Sequence, residues 1–150
     1  MPKSNTQKGA ESELLFKKWL ESEGWTVHRA ARTGFVRLPN GKSFCQSHDL
    51  FGALDILAFK KNEVWAVQMT SQSGRSARRV KVALVPWPTN WRVSIISYET
   101  TPDPANKTRK LHWWRVEDMI PGTELWKDPT AVQFNKKEVE DAARDAKAEE

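Results

Sequence analysis

Two short apolar segments, separated by a polar turn of four residues, most constrain what this chain can fold into. Residues 54–59 read LDILAF, residues 64–70 read VWAVQMT, and KKNE lies between them. Branched and aromatic side chains are frequent in both segments, which is typical of strands. The pattern therefore predicts an antiparallel hairpin with an apolar core.

Elements on both sides of this hairpin complete the predicted domain. A first helix is predicted because Leu15, Phe16, Trp19 and Leu20 form one apolar stripe. The remaining order predicts an α/β domain with a central mixed β-sheet flanked by helices. The predicted helices are 10–23, 75–85 and 135–150, the further strands are 25–30, 91–99 and 111–119, a small hairpin joins 36–38 to 43–45, and 101–106 and 121–129 are loops.

Charge is divided unevenly along the chain. The 150 residues carry a net charge of +5, from 24 lysines and arginines against 19 acidic residues. Residues 1–115 carry a net charge of +10, whereas residues 116–150 carry −5. A basic body indicates a polyanionic partner, most simply nucleic acid, although a basic surface kept for solubility gives the same count.

Composition excludes several classes of protein. Cys45 is the only cysteine, so an internal disulfide is excluded, and no Cys/His cluster has the spacing of a zinc site. No apolar run is long enough to span a bilayer, and the polar, basic residues 1–9 do not form a signal-peptide pattern. We therefore expect a cytoplasmic protein with no membrane partner.

A lone acid interrupts the first strand of the apolar hairpin. Asp55 lies between Leu54 and Ile56, and an ionised carboxylate in such a strand is costly unless a cation accompanies it. That cation is either a basic side chain, in a purely structural role, or a metal ion. Gln68 and Thr70 end the second strand two positions apart, so they share a face that the hairpin can bring beside Asp55. The alternative is that both are ordinary polar residues at a strand end.

Two glutamates flank the apolar stripe of the first helix, on opposite edges. Glu13 has Lys17 four residues later, which is a favourable spacing for a surface ion pair, whereas Glu11 has Leu15 there. The local pattern therefore mildly favours Glu11 as the residue that points inward. It also leaves both glutamates open as plain surface residues.

In order and spacing, these motifs resemble the PD-(D/E)XK nuclease superfamily, and most closely the archaeal-type Holliday junction resolvases. That family opens with Lys-Gly and a helix Glu, continues with a strand ending in Arg, and places an Asp in one strand and Glu-x-Lys at the end of the next. The spacing selects Glu13 over Glu11. The matching segments are Lys8-Gly9, Glu13, Gly24-Trp25, Arg29-Ala30-Ala31-Arg32-Thr33-Gly34, Leu54-Asp55-Ile56 and Gln68-Met69-Thr70, within roughly residues 8–118.

The resemblance implies a restriction-endonuclease-like fold, with a nuclease domain at residues 1–118 and an acidic, partly helical extension at residues 119–150. It implies a homodimer that resolves four-way junctions in branched DNA by metal-dependent, paired phosphodiester hydrolysis. The implied catalytic residues are Glu13, Arg29, Asp55, Gln68 and Thr70, and the implied ligands of Mg²⁺ or Mn²⁺ are Asp55, Gln68 and Glu13. The residues expected to contact DNA are Lys8, Arg29, Arg32, Arg75, Arg78, Arg79 and Lys81.

The chain departs from the family at two catalytic positions. Gln68 replaces a glutamate, keeping an oxygen for a hard cation but losing a charge, and Thr70 replaces the lysine that helps to activate water. Either the site is degraded, or the missing functions have moved. The long stretch before Asp55 offers His48 and Asp49 for the second explanation. The candidates for the lost positive charge are Lys60, Arg75 and Lys81.

Two other functions fit the same sequence. The chain is compatible with another nuclease of the superfamily, of the repair or restriction type. It is also compatible with a DNA-binding protein on the same fold that has lost catalysis. For the basic helix at 75–85, a solvated face is the alternative to phosphate contacts.

Overall fold

A six-stranded mixed sheet forms the centre of the protein. The structure is a computed structural model that describes residues 5–30, 32–37, 39–41, 43–47 and 50–148. Its helices are α1 (Asn5–Ser22), α2 (Arg75–Ala83) and α3 (Lys136–Ala148), and a short 3-10 helix at Gln72–Gly74 precedes α2. Its strands are β1 (Thr26–Arg29), β2 (Arg32–Arg37), β3 (Ser43–Ser47), β4 (Ile56–Lys60), β5 (Glu63–Met69), β6 (Arg92–Asp103), β7 (Asn106–Asp118) and β8 (Thr130–Phe134).

The apolar hairpin predicted from the sequence lies inside this sheet. β4 and β5 pair antiparallel, with Ile56 opposite Val67 and Lys60 opposite Glu63. The strand order is β1-β4-β5-β6-β7-β8. β5 and β6 run parallel, because α2 lies in the connection between them, and the other neighbours run antiparallel. The predicted α/β class, with a central mixed sheet flanked by helices, is confirmed.

Helix α1 begins at Asn5, five residues before its predicted start, and ends at Ser22. Gly24 follows it with a φ of +92°, a left-handed conformation that glycine adopts without strain. The Trp25 backbone N–H can then donate to the Leu20 carbonyl at 3.0 Å, which closes the helix. This turn directs the chain into β1 at the edge of the sheet.

Two layers of core lie on the two faces of the sheet. Helices α1 and α3 cover one face and α2 covers the other. The first layer contains Leu15, Phe16, Leu20, Ile56, Ala58, Trp65, Val67, Met69, Ile96, Trp114, Val116, Phe134 and Val139. The second contains Ala53, Leu54, Ala66, Val82, Val93, Ile95 and Met119. Neighbouring residues of β5 therefore alternate between the layers, as a strand requires.

The residues after 118 contribute to the same sheet and core. β8 pairs with β7, and the Phe134 ring stacks on Trp114 with centroids 4.6 Å apart. Val139 places α3 in the first core layer. The helix predicted at 135–150 is confirmed as α3, whereas the boundary at residue 118 stays a prediction. Across the described residues, no helix combines the length and the apolar character needed to cross a membrane.

Two stretches differ from the sequence prediction, while the small hairpin is confirmed. β2 and β3 form a separate two-stranded sheet around residues 39–41. The predicted loop at 101–106 is wrong, because β6 continues to Asp103 and β7 resumes at Asn106. β8 was not predicted at all. Both stretches are largely exposed, and pairing with a neighbouring strand holds them, so alternation of apolar and polar residues does not mark them as strands.

Candidate active site

Asp55 lies at the junction of three strands. Its carbonyl accepts the Ala30 N–H at 2.7 Å and its own N–H donates to Val67 at 3.0 Å, which ties the start of β4 to β1 and β5. Its carboxylate is buried, and Oδ2 accepts the Met69 backbone N–H at 2.9 Å. The side chain thereby supplies a hydrogen-bond acceptor to β5 at a position where β4 no longer pairs with it.

Gln68 is the side chain that faces this carboxylate. Its Nε2 donates to Asp55 Oδ2 at 2.5 Å and to the Met69 carbonyl at 2.9 Å. Only 2% of the residue is exposed, yet Oε1 has no hydrogen-bond partner in the described part of the chain. A buried oxygen without a hydrogen-bond partner costs about 1–3 kcal/mol. This atom is therefore suited to coordinate a cation or to accept a hydrogen bond from a water.

Glu13 and Arg29 form a second pair beside the first. Arg29 Nε lies 3.3 Å from Glu13 Oε2, and Glu13 is 4% exposed. Arg29 ends β1 directly opposite Ile56, one residue from Asp55. Glu11 is exposed, so the local sequence argument that favoured it as the inward residue is wrong. Glu13 shares a helix face with Phe16 and Leu20, and this face packs on the sheet.

The two pairs reach the same edge of the sheet from different sides. Glu13 lies in the core layer between α1 and the sheet. On β5, Val67 and Met69 point to that layer, so the Gln68 side chain between them points to the opposite face, which α2 covers. The structure brings Glu13 to Arg29 and Asp55 to Gln68. Joint ligation by Asp55 and Gln68 requires the amide to turn, because its nitrogen faces the carboxylate. Among the described residues, no three His, Cys, Asp or Glu side chains gather around a metal position.

Thr70 closes β5 and does not point to the Asp55 carboxylate. Its N–H donates to the Ile96 carbonyl at 2.9 Å, and its hydroxyl donates to the Ser71 carbonyl at 3.0 Å. A Cβ on Gly74 would lie 2.8 Å from the Thr70 hydroxyl, so a larger residue where the chain enters α2 would force this hydroxyl to move. Thr70 therefore shapes the turn from β5 into α2.

A buried ion network anchors α2 to the sheet, and the sequence analysis did not find its acid. Glu117 of β7 is 2% exposed and accepts from Arg75 Nη1 at 2.8 Å and from Arg79 Nε at 2.7 Å. Arg75 is 6% exposed and also donates to Ser97 and to the Arg115 carbonyl. The available signal was two adjacent acids, Glu117 and Asp118, at the end of a predicted strand, which is a weaker signal than the lone Asp55.

This network lies in the same cross-strand row as the candidate site. Gln68 is opposite Ile95, and Ile95 is opposite Glu117. Hydrogen bonds from Arg79 are the main cause that lowers the pKa of Glu117, although burial opposes them. Burial in turn lowers the pKa of Arg75, and Glu117 counteracts that effect. The row therefore holds two buried acids, one facing an amide and one facing two guanidinium groups.

The predicted DNA-contacting residues are not all at the surface. Arg75 is committed to the interior, so its burial does not fit a phosphate contact, and Arg79 is only partly exposed. Arg78 and Lys81 are half-buried on α2, and Lys8 is exposed on α1. Arg32 begins β2, but its side chain lies outside the described part, as do residues His48 and Asp49.

Of the three candidates for the positive charge missing from the family pattern, Lys60 and Arg75 have other partners in the structure, and Lys81 is half-buried on α2. Lys60 is the last residue of β4, and at the spacing of an extended strand it lies about 17 Å from Asp55. Its ammonium donates to the Glu23 carbonyl at 2.9 Å. Arg75 is held by Glu117. Arg29 is the cation that the structure places next to the Asp55 strand end.

Comparison with known proteins finds no matching family model, no matching curated protein and no matching solved structure. The resemblance drawn from the motifs therefore stays an expectation.

We predict that Glu117→Ala destabilises the fold far more than Glu21→Ala does. Removing Glu117 leaves Arg75 buried without its anion, which costs about 3–5 kcal/mol, whereas the exposed Lys17–Glu21 pair is worth about 0.5 kcal/mol. Urea unfolding of both variants measures the difference. Equal losses of unfolding free energy in the two variants would contradict a structural role for the network.

The same network predicts a loss of stability in acid. Because the pKa of Glu117 lies below its ordinary value of 4.5 in the folded state, its stabilising contribution is present above that value and is lost as the pH falls below it. The difference in unfolding free energy between the wild type and Glu117→Gln should therefore shrink between pH 6 and pH 3. A difference that stays constant across this range would count against the assignment.

Proposed function

We propose that the chain is a metal-dependent DNA endonuclease with a restriction-endonuclease-like fold, which resolves four-way junctions by paired phosphodiester hydrolysis. It acts as a cytoplasmic homodimer, because two symmetric cuts need two sites that face two strands. The nearest alternative within the same class is a repair or restriction-type nuclease. The choice of a junction as substrate rests on the motif resemblance alone.

One observation carries this proposal: the buried Asp55–Gln68 pair with its orphaned oxygen. A glutamine that serves only to satisfy Asp55 needs its nitrogen but not a buried, unpaired Oε1. Carboxylate and amide oxygens are ligands that suit Mg²⁺ or Mn²⁺. The Glu13–Arg29 pair adds a second buried acid at the same edge of the sheet, and Arg29 lies opposite Ile56, the neighbour of Asp55.

The residues present fit a hard divalent ion. Asp55 and Gln68 would hold it once the Gln68 amide has turned; Glu13, the third donor that the resemblance implies, lies on the α1 side of the sheet and pairs with Arg29. When bound, such an ion lowers the pKa of a water and offsets the charge that develops on the phosphate. The chain itself supplies the rest: Arg29 fixes the Glu13 carboxylate by their ion pair and offers N–H groups to a phosphate oxygen at the exposed end of β1. Met69 fixes the Asp55 carboxylate through its backbone N–H.

A DNA-binding protein without catalysis is the second candidate, and a specific observation favours it. The Asp55 carboxylate already accepts two N–H groups, from Gln68 and Met69, so the fold does not need a cation to bury it. Thr70, at the family's lysine position, bonds to its own turn. Both facts are compatible with a site that has kept its architecture and lost its reaction.

A single assay separates these candidates. The purified protein is incubated with a four-way junction, a linear duplex and a flap, in Mg²⁺ and in EDTA. Symmetric nicks confined to the junction support the resolvase, and cutting of the linear duplex supports another nuclease. Binding without cutting in Mg²⁺ or Mn²⁺ supports the non-catalytic protein. The mass in solution, compared with 17.2 kDa for one chain, tests the dimer.

We predict that Asp55→Asn lowers the cleavage rate by about 100-fold or more, since it removes the ligand charge but keeps the shape of the side chain. Junction binding in EDTA should not change. Asp118→Asn is the matched control, because Asp118 is an acid of the same sheet that pairs with Arg92. Cleavage that survives Asp55→Asn at the level of the control would exclude Asp55 as a ligand.

Gln68→Glu tests the metal site without relying on activity. The change places a second carboxylate about 2.5 Å from Asp55, and the two charges repel unless a cation lies between them. We expect a lower melting temperature in EDTA that Mg²⁺ restores. Asn90→Asp, an exposed amide in the turn before β6, is the control and should respond to neither condition. The metal site is disproved if Mg²⁺ stabilises the two variants equally.

A further inference from the structure

A two-stranded ribbon extends beyond the sheet. The last pair between β5 and β6 is Met69 with Ile96, and the pairing of β8 with β7 begins at His112. β6 and β7 continue to pair with each other as far as Asp103 and Asn106. Residues 100–111, here called the ribbon, therefore have no third strand among the described residues.

The ribbon is basic and exposed. Lys107, Arg109 and Lys110 are all exposed, and Asp103 is its only acid. Asp103 is used locally, because its Oδ1 accepts the Ala105 N–H at 2.9 Å and so shapes the turn. The ribbon buries almost no apolar surface, and hence its length is not explained by the core.

A concave surface at the base of the ribbon continues the positive charge. Its cavity measures about 650 Å³ and is lined by Arg109, Lys110, His112, Lys136 and Lys137, with no acid among the lining residues. Burial lowers the pKa of His112, and Lys136, Arg109 and Lys110 lower it further against the opposing effect of Glu140. The field at the base of the ribbon is therefore positive even though α3 carries acids.

These cations differ from many others in the chain by lacking acidic partners. Within the described residues, no ion pair involves Lys107, Arg109, Lys110, Lys136 or Lys137. In contrast, the arginines of the sheet and of α2 are largely neutralised within the fold, as the ion pairs of Arg29, Arg75, Arg79, Arg92 and Arg115 show. Glu140 is an acid whose charge reaches this surface, at His112, and the five cations outnumber it, so the surface attracts anions.

We propose that the ribbon and the cavity at its base bind the sugar–phosphate backbone of a DNA duplex that leads into the candidate active site. This inference rests on the proposed function for the identity of the duplex as DNA. A two-stranded ribbon has the dimensions that the major groove admits, and its cations suit phosphates.

The register of the sheet places the ribbon at the same edge as the candidate active site. β6 runs parallel to β5, so it leaves the sheet at the edge where β5 ends and where Asp55 and Arg29 lie. Ile95 lies in the row of Gln68, and the ribbon begins five residues later, about 17 Å away at strand spacing. That length corresponds to about five base pairs at about 3.4 Å each.

The test compares two triple variants of equal charge. K107A/R109A/K110A removes the ribbon cations, and K61A/K127A/K147A removes three exposed lysines elsewhere. Fluorescence anisotropy with a labelled duplex and a four-way junction, in EDTA and over a series of salt concentrations, reports binding without cleavage. We expect the ribbon variant to bind about 10-fold or more weakly and to reduce the salt slope by about 2–3, while the control changes little. Thermal melting verifies that both variants fold.

Each outcome bears on one proposal separately. If the two triple variants bind alike while the wild type cleaves DNA, the ribbon proposal fails and the nuclease stands. If the ribbon variant alone loses affinity but no metal supports cleavage, the ribbon proposal stands and the nuclease fails. Tighter binding of poly-glutamate than of the duplex would mean that the ribbon serves an acidic protein, which overturns the proposal.

Discussion

A buried carboxylate needs donors, and the way in which Asp55 obtains them organises one end of the sheet. Its backbone bonds to β1 and β5, and its side chain accepts the N–H of Met69 where β4 can no longer do so. The start of β4, the end of β1 and the end of β5 therefore depend on one residue. An apolar residue at position 55 would leave the Met69 N–H without that acceptor inside the core.

Two buried acids share a cross-strand row, and they are compensated in different ways. Glu117 has two guanidinium groups, so its charge is neutralised within the fold and it anchors α2. Asp55 accepts from the Gln68 amide and from the backbone N–H of Met69. Glu117 therefore holds a helix on the sheet, whereas these two bonds of Asp55 tie the start of β4 to the end of β5.

Periodicity identified the elements whose side chains build the core and missed those that backbone pairing alone maintains. α1, the β4–β5 hairpin, α2 and α3 carry apolar faces or strong helix propensity, and all were predictable. β8 and the ribbon expose most of their side chains. Backbone pairing with a neighbouring strand therefore holds them, rather than an apolar pattern in their own sequence. In the site, the spacing of Asp55 and Gln68 predicted their contact. The commitment of Arg75 to Glu117 could not be predicted, because a residue 42 positions away in sequence decides it.

The distribution of charge acquires a different meaning once partners are known. The sequence count assigned Arg75 and Arg79 to the basic body and Glu117 to the acidic end, yet both arginines pair with Glu117 within the fold, which leaves one net positive charge. Conversely, Lys136 and Lys137 lie in the acidic end and join the ribbon at its base. The positive surface without counter-charges therefore moves from α2 towards the ribbon edge. Since an ion-paired arginine brings little net positive charge to a phosphate, binding should depend more on the cations outside ion pairs than on the net charge.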